Sequence, residues 1–331
     1  MTAHTYAREL RQRADVADQW NSLARRGGAG YVGEWHHVRA WTRKRFPRMR
    51  LRLFEILTDA TGREIRVGQC AVAVSREGGT FLDRLHLEPG HEDSWPAAMR
   101  AVLANLGPGR YEYGWEESLE RPREGELGKI AGVAVTQVRP LTVHSIEFSA
   151  WPSWDAYLRA VSTNVKRNVK KAQTQFPDLA IEWRSGLAGV SQVTSLIRLR
   201  SQTYGRKGLR FRAPAAALST IANLASAGPA SFTAVARGGG RDLAAVSGIR
   251  FGTNTYYRDG GSVADNGGAA WHLLMRVIER AYTEHSQGRL VMGYLDPSIH
   301  DESVSGGLLR QRRSCRVVEV PTSKVVFTWS G

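Results

Sequence analysis

The chain has 331 residues, 42% of them hydrophobic, which is enough for a packed core in one large domain or two ordinary ones. No apolar run approaches the ~18 residues a membrane-spanning helix needs. The polar, arginine-containing N-terminus lacks the apolar stretch of a secretory signal, so a cytoplasmic protein without a membrane partner is expected. The net charge of +15 favours polyanionic partners.

In chain order, residues 1–52 read as helical and basic, with Trp20, Leu23, Val38 and Trp41 as apolar points. Strands are expected over 51–57, 65–74 and 80–87, followed by a helix over 95–106 and a strand over 110–115. Residues 116–129 are charged and glycine-punctuated, and read as a loop; 133–138 and 141–148 read as two strands. A helix over 154–174 follows, with Ser153 in position to cap it. Three further strands, 231–236, 243–251 and 255–263, are joined by short turns rich in glycine and asparagine. A helix over 269–282 and a strand over 289–295 complete the second half. Turns this short allow only antiparallel neighbours. A three-stranded meander, a helix and another strand therefore occur twice. The expected fold class is α/β (α+β), built from two tandem units, 1–145 and 146–331, each a mostly antiparallel central sheet flanked by helices.

Charge alternates by region. Residues 77–126 hold eleven acids against five bases, and residues 151–215 hold twelve bases against three acids. In the expected 154–174 helix, Trp154, Leu158, Val161, Val165, Val169 and Ala172 form one apolar stripe. Lys166, Arg167, Lys170 and Lys171 project from the opposite face, with no acid among them from Arg159 to Gln175. Like charges at i,i+4 cost helix stability, and a polyphosphate partner would offset that cost. The chain has only seven lysines, and three of them fall within these six residues. The stretch 204–212 alternates Arg206, Lys207, Arg210 and Arg212 with aromatics and glycine, a composition suited to a phosphate backbone.

Between strand 255–263 and the following helix, Asn266, Gly267 and Gly268 make a small-residue helix start. Such a start can bind an anion through backbone N–H groups, and Asn266 can instead cap the helix. Tyr256, Tyr257, Asp259, His272 and Asp296 fall at or near strand ends and are the candidate catalytic groups. No serine elbow, Walker sequence, metal-ligand spacing or cysteine–histidine pairing is present, and Cys70 and Cys315 sit apart in strand-like runs. The chemistry that leaves so few marks is direct attack of an amine on an activated acyl group. That reaction needs positioning, one proton acceptor and donors for the oxyanion, and forms no covalent enzyme intermediate. Asp259, His272 and Asp296 are the candidates to orient or deprotonate the amine. Tyr256 or Tyr257 is the candidate donor to the carbonyl, and alternation along a strand lets only one of them face inward.

The sequence resembles the FemAB-like branch of the GNAT (N-acetyltransferase) superfamily. The resemblance rests on Trp154-Asp155-Ala156-Tyr157-Leu158 with the basic stretch from Asn164 to Ala172, and on the run from Asn266 to Leu274 with Ile278-Glu279-Arg280-Ala281. Met292-Gly293-Tyr294-Leu295-Asp296 and Gly306-Gly307-Leu308-Leu309 add to it. It implies two GNAT-like units, with the donor site in the second. It also implies an aminoacyltransferase that moves an amino acid from aminoacyl-tRNA to an amine, forming a peptide (amide) bond, with no cofactor beyond that co-substrate. The inserted coiled-coil arm of many cell-wall enzymes of this branch is missing, so a small soluble amine, such as a natural-product intermediate, is the expected acceptor. The alternative within the superfamily is an acyl-CoA-dependent N-acyltransferase. The usual CoA signature is absent, and 265–270 lacks its leading Arg or Gln.

Overall fold

The computed structural model describes residues 4–11, 14–43, 45, 47–60, 63–119, 123–295 and 302–331. The chain divides into two compact units, 1–142 with 321–331, and 143–320. The last eleven residues return to the first unit.

The first unit contains β1 (His4–Leu10), α1 (Ala17–Arg26), α2 (Trp35–Arg43), β2 (Arg50–Ala60), β3 (Arg63–Val74), β4 (Gly78–Phe81), β5 (His86–Leu87), α3 (Trp95–Leu106), β6 (Gly109–Tyr113) and the short α4 (Glu124–Leu127). Its sheet runs β1-β2-β3-β4-β6 and is antiparallel except for the β4/β6 pair. Side chains alternate between two cores. Phe54, Ile56, Cys70 and Val72 pack with α3, whereas Leu53, Ala71 and Ala73 pack against Trp20 of α1 and Trp35 of α2. The expectation of helix throughout 1–52 fails at β1. This segment is polar and half-exposed, and becomes a strand by pairing with β2, Tyr6 opposite Leu57. Its own side-chain pattern carries no two-residue alternation of apolar and polar residues to mark a strand.

Strand β7 (Val133–Glu147) carries the chain into the second unit as one strand rather than two, running on through Pro140. There follow α5 (Trp154–Ala160), α6 (Thr163–Gln175), β8 (Ala180–Ser185), α7 (Val193–Arg206), α8 (Ala213–Ala227), β9 (Ser231–Gly238), β10 (Arg241–Phe251), β11 (Asn254–Ser262), α9 (Ala269–Glu284), β12 (Arg289–Leu295) and α10 (Glu302–Ser314). Strand β13 (Val318–Trp329) then leads back to the first unit, where it pairs with β6. The helix expected over 154–174 is two helices. The Ser153 hydroxyl accepts from Ala156 N–H at the first start, and the Ser162 hydroxyl accepts from Val165 N–H at 3.3 Å at the second. A serine in extended backbone ends one helix and caps the next.

Within the second unit the strand order is β8-β9-β10-β11-β12, antiparallel up to β11 and parallel between β11 and β12. Its two faces carry different helices. Phe232, Ala234, Ala236, Ala244 and Val246 pack beneath α9, with Val165 of α6 in the same core. Val235 and Ala245 pack against Leu196 and Leu199 of α7 on the other face. Among the described residues, no helix is long and apolar enough to cross a membrane.

Candidate functional site

The parallel ladder between β11 and β12 covers Asn254–Tyr256 against Arg289–Val291 and then stops, although both strands continue. Beyond Tyr256 the strands part, and the chemistry-bearing residues gather at this opening. A β-bulge opposite Ser247/Gly248 breaks the alternation of β11. Tyr257 and Asp259, two residues apart, consequently serve opposite faces. Tyr257 packs on the α9 side. Asp259 faces α7, where its carboxylate pairs with the Arg200 guanidinium at 2.6 Å. Tyr256 is fully buried. Burial pushes the Tyr257 hydroxyl up to about 12, so it stays protonated and can serve as a donor.

Arg200 is the hub of the α7 side, and sequence reasoning missed it. Its guanidinium lies over Phe211 at 5.2 Å and Tyr204 at 5.9 Å, which draws the loop after α7 back over the Asp259 pair. Gly261 allows this approach. A Cβ there would meet the Arg200 backbone nitrogen at 2.4 Å, so α7 lies directly on β11.

Arg312 of α10 is a second missed residue. It is buried, donates to the carbonyls of Met292 and Tyr294, and donates to His144 Nδ1 at 2.7 Å. Burial, with the Arg312 charge beside it, depresses His144 to about 4 and keeps the ring neutral. The signal that could have found Arg312 is faint. It is one of three basic residues in four positions, Arg310 to Arg313, where only depth in the fold singles one out.

The expected helix-start site is closed from within. Asn266 Oδ1 accepts from Gly268 and Ala270 N–H, the Asn266 carbonyl accepts from Ala269, and the Gly268 carbonyl accepts from Trp271 and His272. Gly268 has φ +96°, and a Cβ on it would lie 2.1 Å from the Asn168 carbonyl oxygen, so α6 covers the start of α9. Asn266 is therefore a cap, and Gly267 and Gly268 are the seam between two helices. The N–H groups of Gly268, Ala269 and Ala270 are already taken.

His272 is not brought to Asp259. It stands on α9, across the sheet, in an open groove of about 690 Å³ with Trp183 and Arg276. Burial and Arg276 lower its pKa. Asp296 lies outside the described residues.

Lys166, Arg167, Lys170 and Lys171 are all exposed on α6, and Arg206, Lys207, Arg210 and Arg212 are all exposed at the end of α7 and in the loop that follows. None of the eight pairs with a carboxylate among the described residues, whereas Arg198, Arg200, Arg237, Arg250 and Arg280 of the same unit each do. The two groups flank one segment from opposite sides. Thr203 and Arg206 bond the Ser262 backbone, at 3.0 Å and 2.9 Å, while Asn168 and Gln175 of α6 press on Gly268 and Gly267.

No family model matches the chain, and no curated protein matches its sequence significantly. Solved structures do. FemX superposes with a TM-score of 0.73 over 98% of this chain and 97% of its own, at 10% identity. The chain has the FemX-type tandem GNAT fold. A tandem GNAT protein from the clavulanic acid biosynthesis pathway matches at TM-score 0.53 and 12% identity, covering 99% of both chains. L-PGS from Bacillus licheniformis matches at 0.53 and 9%, covering 95% of this chain and 91% of its own.

Proposed function

We propose that the protein is an aminoacyltransferase that takes its acyl group from aminoacyl-tRNA and transfers it to the amine of a small acceptor, forming an amide bond. The observation that carries this reading is the set of eight exposed cations, none of them paired with a carboxylate among the described residues, on both sides of the 262–268 segment next to the strand opening. Unpaired like charge on one helix is unfavourable unless a polyanion binds it. The capped and covered start of α9 speaks for RNA over CoA, whose diphosphate would need that start free. FemX and L-PGS share the fold and support the same class.

The acceptor nitrogen attacks the ester carbonyl, the C–O bond to the tRNA ribose breaks, and the amine proton passes through a base to the ribose oxygen, which leaves as the hydroxyl. Asp259 is the candidate base or orienting group, held by Arg200. Arg312 fixes the β12 side of the opening. A thiol intermediate is disfavoured by burial, which pushes Cys315 up to about 12 and Cys70 higher than its ordinary value.

The test is incubation with mixed charged tRNAs and candidate amines, with products read by mass spectrometry and RNA binding read against salt. Binding should weaken steeply with salt, by a log–log slope of about −0.7 to −0.9 per phosphate contacted. Reversing Lys166, Lys170 and Lys171 to Glu should abolish it. Unchanged tRNA affinity in that variant refutes the site, and stabilisation by an acyl-CoA would favour the alternative donor.

A further inference from the structure

The groove around Trp183 has no part in the chemistry above, yet it is continuous with the basic helix. Its walls are the end of α6, strand β8 and helix α9. As the edge strand of the sheet, β8 leaves Ile181 and Trp183 beside α9 without a further strand to cover them. Leu179 extends this apolar floor, and Gln173, His272 and Arg276 form the rim. The Trp183 ring carries the Arg280 guanidinium at 4.8 Å and is half-buried. Arg276 pairs with Glu279 but is exposed. His272 Nδ1 is buried and has no hydrogen-bond partner among the described residues.

Lys166, Lys170 and Gln173 follow one another at i, i+4 and i+7, so they form one line on α6. At 1.5 Å per residue, Lys170 stands about 6 Å along the axis from Lys166, and Gln173 about 4.5 Å further. The line of cations thus opens onto the groove at Gln173. A cationic track that ends on an aromatic and apolar floor, with a hydrogen-bonding imidazole and a guanidinium at its rim, has the makings of a single-strand nucleic-acid site: charge for the backbone, a π-surface for a base.

We propose that this groove binds an unpaired nucleotide of the RNA whose phosphates lie along α6, with the base against Trp183 and its phosphate near Arg276. The inference rests on the aminoacyl-tRNA reading and adds to it a contact with single-stranded RNA remote from the strand opening. His272 is then a base-contacting residue and takes no part in acyl transfer.

The experiment measures binding of a fluorescent six-nucleotide single-stranded RNA, and separately of a duplex RNA, to the full chain by anisotropy. Variants are Trp183→Leu, Arg276→Glu, and the triple reversal of Lys166, Lys170 and Lys171. Loss of one stacked base predicts a single-strand affinity about ten-fold weaker in Trp183→Leu and Arg276→Glu, with duplex affinity unchanged. The triple reversal should weaken both ligands. Arg276→Glu is a surface change and keeps the test valid if Trp183→Leu melts early. Wild-type single-strand affinity in Arg276→Glu and in a folded Trp183→Leu overturns the groove while leaving the α6 site standing. Displacement of the oligonucleotide by CoA also overturns it, by assigning the groove to a free nucleotide. Failure of the wild-type chain to bind either RNA refutes the aminoacyl-tRNA reading itself.

Discussion

Acidification should destabilise the second unit through one side chain, His144. The ring is fully buried, accepts from Arg312 through Nδ1, and has its pKa lowered from the ordinary 6.5 to about 4. Burial is the larger cause and the Arg312 charge the second. At pH 7 the ring is neutral in both folded and unfolded chains and contributes nothing to the pH dependence. As pH falls below about 6.5 the unfolded chain takes up a proton that the folded chain refuses, and the unfolded state gains. The loss grows until the folded ring also protonates near 4, then levels off. At about 1.4 kcal/mol per pH unit of separation, the full window from 6.5 to 4 amounts to about 3.5 kcal/mol. Urea unfolding of the wild type and of His144→Gln, followed from pH 7 to pH 4.2, isolates this term from the carboxylates common to both chains. The wild type should lose about 3 kcal/mol more than the variant over that range. A His144 resonance titrating near 6.5 in the folded protein, or parallel pH profiles for the two chains, would refute the argument from burial and charge.

Other consequences follow from the same geometry. Gly268→Ala places a Cβ against the Asn168 carbonyl and forces a left-handed backbone on an L side chain, so it should cost more than about 2 kcal/mol and loosen α6 from α9; an unchanged melting midpoint contradicts that packing. Asp259→Asn should keep the fold and lose about 10²–10⁴ in turnover if the carboxylate takes the amine proton, and full activity in this variant removes it from the mechanism. Both thiols should resist an aromatic disulfide reagent in the native protein and react only on unfolding, since both are buried; fast native labelling would contradict their placement.

Much of this architecture was legible from local signals. Apolar alternation and short glycine turns marked β9, β10 and β11, and the periodic stripe from Trp154 to Ala172 marked the buried face of α5 and α6. The four cations of α6 were legible for the same reason, because helical spacing decides which side chains share a face. Three things were decided only by tertiary structure. Strand β1 exists because β2 offers its edge, a fact no residue of 4–10 encodes by itself. The opposite facing of Tyr257 and Asp259 comes from a bulge, which shifts the side-chain period without altering the residues. Arg200, Arg312 and His144 looked like ordinary members of a chain rich in arginine until folding set Arg200 against Asp259 and buried Arg312 with His144. Charge and periodicity are properties of neighbours along the chain and can be read there. Burial, ion pairing and the parting of two strands are properties of neighbours in space, and only the fold creates them.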